Sequence, residues 1–373
     1  MQRNGFDPLG EPQVKRTYTP EEAGHEKHRR PVSRTSYNMR RRARPKVNGA
    51  AVAVTVIFAL VIGISLFLIL SGRNIPKPPE ENGPVGTLET TDAVTTEDPR
   101  PYFTLELSRD EVNEGALILV NAYNEYVFPE SMEGDLVSIV DNTSEYCHTS
   151  GYSTLIAGQA IKAFNTMCAD YYGETGFQWL QINSAYRSRE AQEKLYADYE
   201  RDYGADYAAK YVANPGYSEH HTGLGIDLNV NRNGAISYIE SDEGCAWFRD
   251  RCNDYGFILR YPDDKVHLTG ISYESWHYRY VGKPHARIMK DMNLCLEEYV
   301  DYVKSYTYDG NCLGYSEETG VFDMKAEEFY ENGGTMIYYV PAEEETTAVL
   351  VPKDCTYTVS GNNVDGFIVT CTK

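Results

Sequence analysis

The run from Ala50 to Leu70, 21 residues without a charge, divides this chain before any fold is considered. As a helix it would span ~31 Å, enough to cross the hydrocarbon core of a bilayer. Arg40, Arg41, Arg42, Arg44 and Lys46 precede it, whereas only Arg73 and Lys77 stand close behind it. Basic residues gather on the cytoplasmic side of a span, so the sequence predicts a cytoplasmic N-terminus and everything after Ser71 outside. A cleaved signal peptide is the alternative. Its apolar core would be shorter and its basic region is rarely this long, and no small-x-small cleavage pattern follows Leu70. The expectation is therefore an uncleaved single-pass anchor in the cell membrane, a transmembrane helix over residues 50–70.

Charge and cysteine usage agree with that division. The net charge is −20, but residues 1–49 hold 12 Lys/Arg against 5 Asp/Glu, a surplus of 7 that leaves −27 for the remainder. Residues 1–49 lack apolar periodicity and read as a disordered basic cytoplasmic tail, placed to lie on anionic lipid. Its position just before a span favours a topology signal over nucleic-acid binding. Residues 71–101, rich in Pro, Thr, Glu and Gly, read as an extended extracytoplasmic linker. All eight cysteines (Cys147, Cys168, Cys245, Cys252, Cys295, Cys312, Cys355 and Cys371) follow the apolar run, which is compatible with disulfides on the oxidising side. None has the C-x-x-C spacing of a structural zinc site.

Within residues 102–308 the pattern is mixed. Leu117 to Val120 reads as a short buried strand. Ile156, Ala160, Phe164, Met167 and Tyr171 step by three and four, an amphipathic helix ending near Gly173 and Gly176. Phe177 to Asn183 reads as a strand, and Ser188 as the N-cap of a helix through Leu195 and Tyr199. A further helix carries Trp247, Phe248 and Tyr255, and a last one spans Ala286 to about Lys304. From about Asp309 short strands with Gly/Asn turns (335–340, 348–351, 356–359, 367–370) suggest a small all-β appendage over residues 309–373. Its final pair reads as a hairpin centred near Asn363, which would set Cys355 opposite Cys371 and permit a disulfide. Cys245 and Cys252, seven apart on one helix, are too distant to bridge.

The chemistry concentrates in Ser218-Glu219-His220-His221-Thr222-Gly223-Leu224-Gly225-Ile226-Asp227 and Glu274-Ser275-Trp276-His277, which hold three of the eight histidines. A lone His or Asp beside glycines is ordinarily a turn residue or a satisfied polar group. Here they occur together. Gly223 and Gly225 let the chain turn into a strand in which Asp227 and Asn229 share the face opposite Ile226, Leu228 and Val230. The second segment sets His277 and Arg279 opposite Trp276, Tyr278 and Tyr280. Two neighbouring strands would bring His220, Asp227 and His277 to one metal, with a fourth position for water and a spare Glu as base. No H-E-x-x-H is present.

These residues resemble the VanY-type D-alanyl-D-alanine carboxypeptidases, zinc peptidases of the LAS/hedgehog-like group. The family's Ser-x-His-x-x-Gly-x-Ala-x-Asp reads Ser218-x-His220-x-x-Gly223-x-Gly225-x-Asp227 here, and its Glu-x-x-His reads Glu274-x-x-His277. Its Ser-Gly-Tyr-Arg-Ser reads Ser184-Ala185-Tyr186-Arg187-Ser188, with Gln192 shortly after. Gly225 stands for Ala, Ala185 for Gly, and His221 where Gln is common. The match covers roughly residues 104–305. The resemblance implies an α+β fold, an antiparallel-sheet peptidase domain with flanking helices. It implies one Zn²⁺ per chain on His220, Asp227 and His277, with Glu274 as base. Arg187 would stabilise a developing oxyanion or hold the substrate carboxylate, and Ser218 and Gln192 would meet the peptide. Trp276 would pack beside the metal. The implied reaction is removal of C-terminal D-Ala from peptidoglycan stem peptides outside the cell. An L,D-carboxypeptidase on tetrapeptide stems is the nearest alternative. A non-catalytic wall-binding module is a third reading, against which Glu274 counts, because a binder needs no base.

Overall fold

The computed structural model describes residues 101–373. The basic tail, the apolar run 50–70 and the linker up to residue 100 lie outside the described residues. No helix among the described residues is long and apolar enough to cross a membrane.

A six-stranded sheet carries the first lobe, in the order β3 (His148–Thr149), β5 (Leu180–Ser184), β6 (Gly225–Arg232), β9 (His277–Tyr280) and β8 (Phe257–Leu259), with β7 (Ala235–Ser237) paired to β6. All its pairings are antiparallel except β3 with β5. A separate antiparallel pair joins β2 (Leu136–Ser138) to β4 (Leu155–Ala157). The expected helix is α1 (Gly158–Thr175), buried along Ala160, Phe164, Met167 and Tyr171 and closed by Gly176 in the left-handed conformation. Ile156 belongs to β4 rather than to that helix. These residues pack against Ile182, Ile226, Leu228, Val230 and Tyr278 from the sheet's apolar face. Ser188 caps α2 (Arg189–Tyr203) by accepting from the Ala191 N–H at 3.2 Å, and α3 (Ala205–Tyr211) follows. Trp247 and Phe248 lie on α4 (Ala246–Arg251), whose ends are marked by Cys245 and Cys252.

The second lobe is a five-stranded antiparallel sheet. Its order is β11 (Gly320–Met324), β10 (Cys312–Ser316), β12 (Thr335–Pro341), β15 (Gly366–Thr372) and β14 (Thr356–Gly361). It is not purely β, because α7 (Ala326–Asn332) packs Phe329 into it. A two-stranded pair covers one face, formed by β1 (Tyr102–Ser108) and β13 (Thr346–Pro352). The described residues therefore begin in the C-terminal lobe. Helices α5 (His285–Met292) and α6 (Leu296–Val303) cover the other face, where Ile288, Leu296 and Val300 meet Leu313, Ile337 and Ile368.

Four local expectations change. Leu117–Val120 is buried as expected but pairs with no strand; it is an irregular strap between the lobes that begins in a turn. The helix expected from Ala286 to Lys304 is two helices, broken where Asn293 turns left-handed at φ 52° and Glu298 accepts from the Cys295 N–H to start α6. The final hairpin pairs Thr356 with Thr372 and Gly361 with Phe367, so Cys371 faces Tyr357 and not Cys355. Its turn is centred one residue later than expected, because Asn362 Oδ1 gathers the N–H groups of Val364, Asp365 and Gly366. Cys355 and Cys371 are nonetheless diagonal neighbours whose side chains touch, and both are free thiols, as are the other six cysteines.

Candidate metal and peptidase site

The site forms where β6 and β9 run side by side, with Asp227 directly opposite His277 in the ladder. The period-2 pattern accounts for this: Ile226 and Tyr278, also opposed, face the core, which sends their neighbours to the other face. His220 arrives from the helical turn Glu219–Thr222 just before β6. Gly223 ends that turn at φ +68°, and a Cβ there would stand 3.0 Å from the Ala157 backbone nitrogen, so both conformation and space favour glycine. One ligand-capable atom each from His220, Asp227 and His277 lies within 4.8 Å of the others, and all three residues are buried.

Hydrogen bonds fix the ring orientations. His220 Nδ1 lies 2.7 Å from the Ala185 carbonyl and so carries the proton, leaving Nε2 toward Asp227 at 3.4 Å. His277 presents Nδ1 to Asp227 at 3.0 Å, and its Nε2 lies 3.4 Å from Glu219 Oε2. His221 does not join the cluster. Its Nδ1 donates to the Arg187 carbonyl at 2.7 Å and its Nε2 accepts from the Gly216 N–H at 3.0 Å. With both nitrogens on the backbone, and with burial pushing its pKa down to about 4, it is a neutral clamp between two loops.

Glu274 Oε2 stands 3.8 Å from His277 Nδ1. Burial raises its pKa to about 8, with the His277 charge opposing and Asp227 adding to the rise. Burial alone would also raise the Asp227 carboxyl, but His220 and His277 outweigh it and hold it well below the usual range. His277 shows the converse. Burial would lower it, yet its hydrogen bonds to Asp227 and Glu219 lift it to about 9.

Arg187 sits between β5 and α2, its N–H donating to the His220 carbonyl at 3.0 Å. Its guanidinium donates to Gln192 Oε1 at 2.7 Å and Ser184 Oγ at 3.1 Å, and its charge reaches both His220 and Glu274. Gln192 is buried, with its amide N–H donating to the Ala213 carbonyl at 2.7 Å. Its Oε1 holds Arg187 in place. Ser218 is buried in the approach to the helical turn, and Trp276 is half-buried, its ring 6.2 Å from that of Tyr238.

Sequence reasoning assigned no role to Glu219, Arg260 or Arg279. The Glu219 and Arg260 side chains and that of Arg279 are 0% exposed. Glu219 Oε1 accepts from Arg260 Nε at 2.6 Å and from Arg279 Nη1 at 2.8 Å. Burial would raise the Glu219 carboxyl; the two arginines outweigh it and keep the group ionised. One signal was available. Arg279 shares a strand face with His277, and a cation buried beside an imidazole needs an anion close by.

The family model for VanY, D-alanyl-D-alanine carboxypeptidase, matches residues 153–283. A D-alanyl-D-alanine carboxypeptidase of Enterococcus faecium is 35% identical over 300 residues, 79% of this chain and 83% of that protein. The bifunctional D-Ala-D-Ala dipeptidase and D-Ala-D-Ala carboxypeptidase VanXYC of Enterococcus gallinarum is 39% identical over 133 residues, covering 33% of this chain and 67% of that one. Among solved structures, the vancomycin resistance D,D-dipeptidase VanXYg, in complex with a D-Ala-D-Ala phosphinate analog, superposes with a TM-score of 0.60 at 33% identity. That match covers 73% of this chain and 99% of the other. The matched span holds every residue of the cluster, and this chain belongs to the VanY family of D-alanyl-D-alanine carboxypeptidases.

Proposed function

We propose that this chain is a membrane-anchored zinc D,D-carboxypeptidase that removes the C-terminal D-Ala from peptidoglycan stem peptides outside the cell. The observation that carries the reading is the ladder pair Asp227–His277, with His220 beside it and Glu274 3.8 Å from His277. The donor set fits zinc. Two imidazoles and one carboxylate are the three protein ligands of a catalytic zinc site, and both rings have the nitrogen away from the cluster engaged, by Ala185 and by Glu219. When bound, zinc supplies a Lewis acid that polarises the scissile carbonyl and acidifies water.

The remaining steps belong to the chain itself. Glu274 takes a proton from the attacking water as its oxygen bonds to the carbonyl carbon. It then delivers that proton to the departing amine as the C–N bond breaks, releasing D-Ala and a shortened stem. Arg187, held by Gln192 and Ser184, offers a planar cation to the substrate carboxylate or the developing oxyanion. The charge-free run 50–70 with its basic flank supports an anchor that places this lobe outside the membrane.

Incubating the purified full-length chain with pentapeptide and tetrapeptide stems, and weighing the products, tests the reading. Loss of one D-Ala from the pentapeptide is expected. Loss only from the tetrapeptide would make it an L,D-carboxypeptidase, and no loss from either would leave a wall-binding module.

A further inference from the structure

We propose that the C-terminal β lobe holds the metal-binding face of His277 in place, through the strap of residues 112–125 and a buried Arg279–Glu219 relay. The inference rests on the zinc reading above and assigns the lobe a part in it. The strap leaves the helical turn Arg109–Asn113, bends at 115–117 and turns again at 122–123, and its backbone groups alternate between the lobes. On the C-terminal side, the Leu117 N–H donates to Ser360 Oγ at 2.9 Å and the Leu119 N–H to the Asn362 carbonyl at 3.0 Å. Asn363 Nδ2 donates to the Leu119 and Glu125 carbonyls, both at 2.9 Å. The approach is close. A Cβ on Gly361 would lie 2.1 Å from the Val112 carbonyl oxygen, so the hairpin end admits no side chain there.

On the peptidase side the strap's other carbonyls serve one guanidinium. Arg279 Nη2 donates to Ala116 at 3.0 Å and Ile118 at 2.8 Å, while Nη1 donates to Glu219. Asn121, at the strap's far end, donates to Glu297 at 3.1 Å, and Glu297 holds Arg260 through two bonds of 2.8 and 2.6 Å. Both arginines therefore converge on Glu219 Oε1, which leaves Oε2 for His277 Nε2. A carboxylate on the far nitrogen of a metal-binding imidazole fixes its tautomer and its orientation. What fixes the carboxylate here is a guanidinium seated on backbone that the C-terminal hairpin holds. Glu219, Arg279 and Asn363 are in this view positioning residues, acting through His277.

Zinc affinity, read by competition with a chromophoric chelator on the full-length chain, tests this without reference to turnover. Glu219→Gln removes the charge and is expected to weaken zinc about 10- to 100-fold. Asn363→Gly suits the left-handed backbone at that position, φ 59°, and removes only the bonds to the strap. It should weaken zinc less, in the same direction, and shift the absorption of the cobalt-substituted protein. If the two act along one path, the double variant binds zinc less weakly than the two losses combined would give. Phe329→Leu, in the C-terminal core and outside the hydrogen bonds that hold residues 114–125, should lower Tm and leave zinc affinity alone. Unchanged affinity in Glu219→Gln, or equal weakening in Phe329→Leu and Asn363→Gly at matched loss of Tm, would overturn the relay. A wild-type chain that binds no zinc would overturn the zinc reading itself, which separates the two failures.

Discussion

The molecule contains two antiparallel arrangements that treat their faces differently. In the peptidase sheet, β6 and β9 bury Ile226, Leu228, Val230 and Tyr278 on one face and Asp227, Asn229, His277 and Arg279 on the other. In the C-terminal sheet, β12 and β15 are mainly apolar on both faces and bury no ionised group. Met336, Tyr338, Phe367 and Val369 pack toward β1 and β13, and Ile337, Tyr339 and Ile368 toward α5 and α6. Burying ionised groups costs free energy that even good partners return only in part, whereas burying apolar area contributes roughly 25 cal/mol per Å². The comparison teaches a division of labour: one sheet keeps charges in place for chemistry, and the other supplies hydrophobic stability.

Two substitutions break that division from opposite ends. Glu274→Ala removes a buried carboxyl that is not in the three-residue cluster. Turnover should fall by about 10²- to 10⁴-fold while zinc content and Tm hold, read by product formation, metal analysis and calorimetry. Loss of zinc would place Glu274 among the ligands. Phe329→Ala, at a side chain 0% exposed, should cost about 3–5 kcal/mol of stability in denaturant unfolding. Per folded molecule it should leave kcat nearly unchanged. If turnover fell in proportion to the lost stability, the two sheets would not be separable in this way.

What the sequence disclosed follows the same line. Asp227 and His277 were legible as partners because alternation is local: each strand shows its own two faces, and glycines mark where the first begins. Ser188 was legible as a cap for the same reason. The strap at 117–120 read as a strand because its apolar run is that of one, but its backbone bonds go to Arg279 and to Ser360 and Asn362, over 160 residues away. No window of sequence contains those partners. The place of β1 on β13 was hidden likewise. The break at Asn293 was missed because apolar residues keep helical spacing on both sides of it, and the cysteine register because a single Asn side chain organised the turn. Glu219 stood inside the motif unassigned, since its role exists only once Arg260 and Arg279 converge on it.

The seam between the regions carries its own titration. His285, on α5, is buried, with Nδ1 2.6 Å from the Tyr299 hydroxyl and Nε2 3.0 Å from Thr370 Oγ1 on β15. Burial pushes its pKa down to about 3. The folded pKa lies below the unfolded value of about 6.5, so between them the unfolded chain binds more protons. Its contribution is fully present above about pH 6.5 and is lost as pH falls toward 3. With about 1.4 kcal/mol per unit, that amounts to a few kcal/mol. In His285→Gln the fall of Tm between pH 6.5 and 4 should be shallower than in the wild type. Parallel pH profiles would assign the acid sensitivity to other groups.

The smallest expected effects concern how helices start in each region. Ahead of α2, Ser188 caps the first turn by accepting from Ala191, next to the residue that carries the Arg187 guanidinium. Ahead of α7, the N-cap is Lys325, whose extended backbone suits a cap but whose side chain caps nothing; it donates to the Gly310 carbonyl instead. Glu328 stands at the third helical position, so Lys325→Ser would complete the reciprocal Ser/Glu pairing that satisfies two free N–H groups. Ser188→Ala should lose about 1 kcal/mol, and Lys325→Ser should gain a similar or smaller amount, less whatever the Gly310 bond contributed. Because α2 carries Gln192, which holds Arg187, the Ser188 variant should also raise KM, whereas the Lys325 variant should change stability alone. Chemical denaturation alongside steady-state kinetics measures both. A KM shift in the Lys325 variant would show that the start of α7 reaches the site, which the two-sheet comparison does not allow.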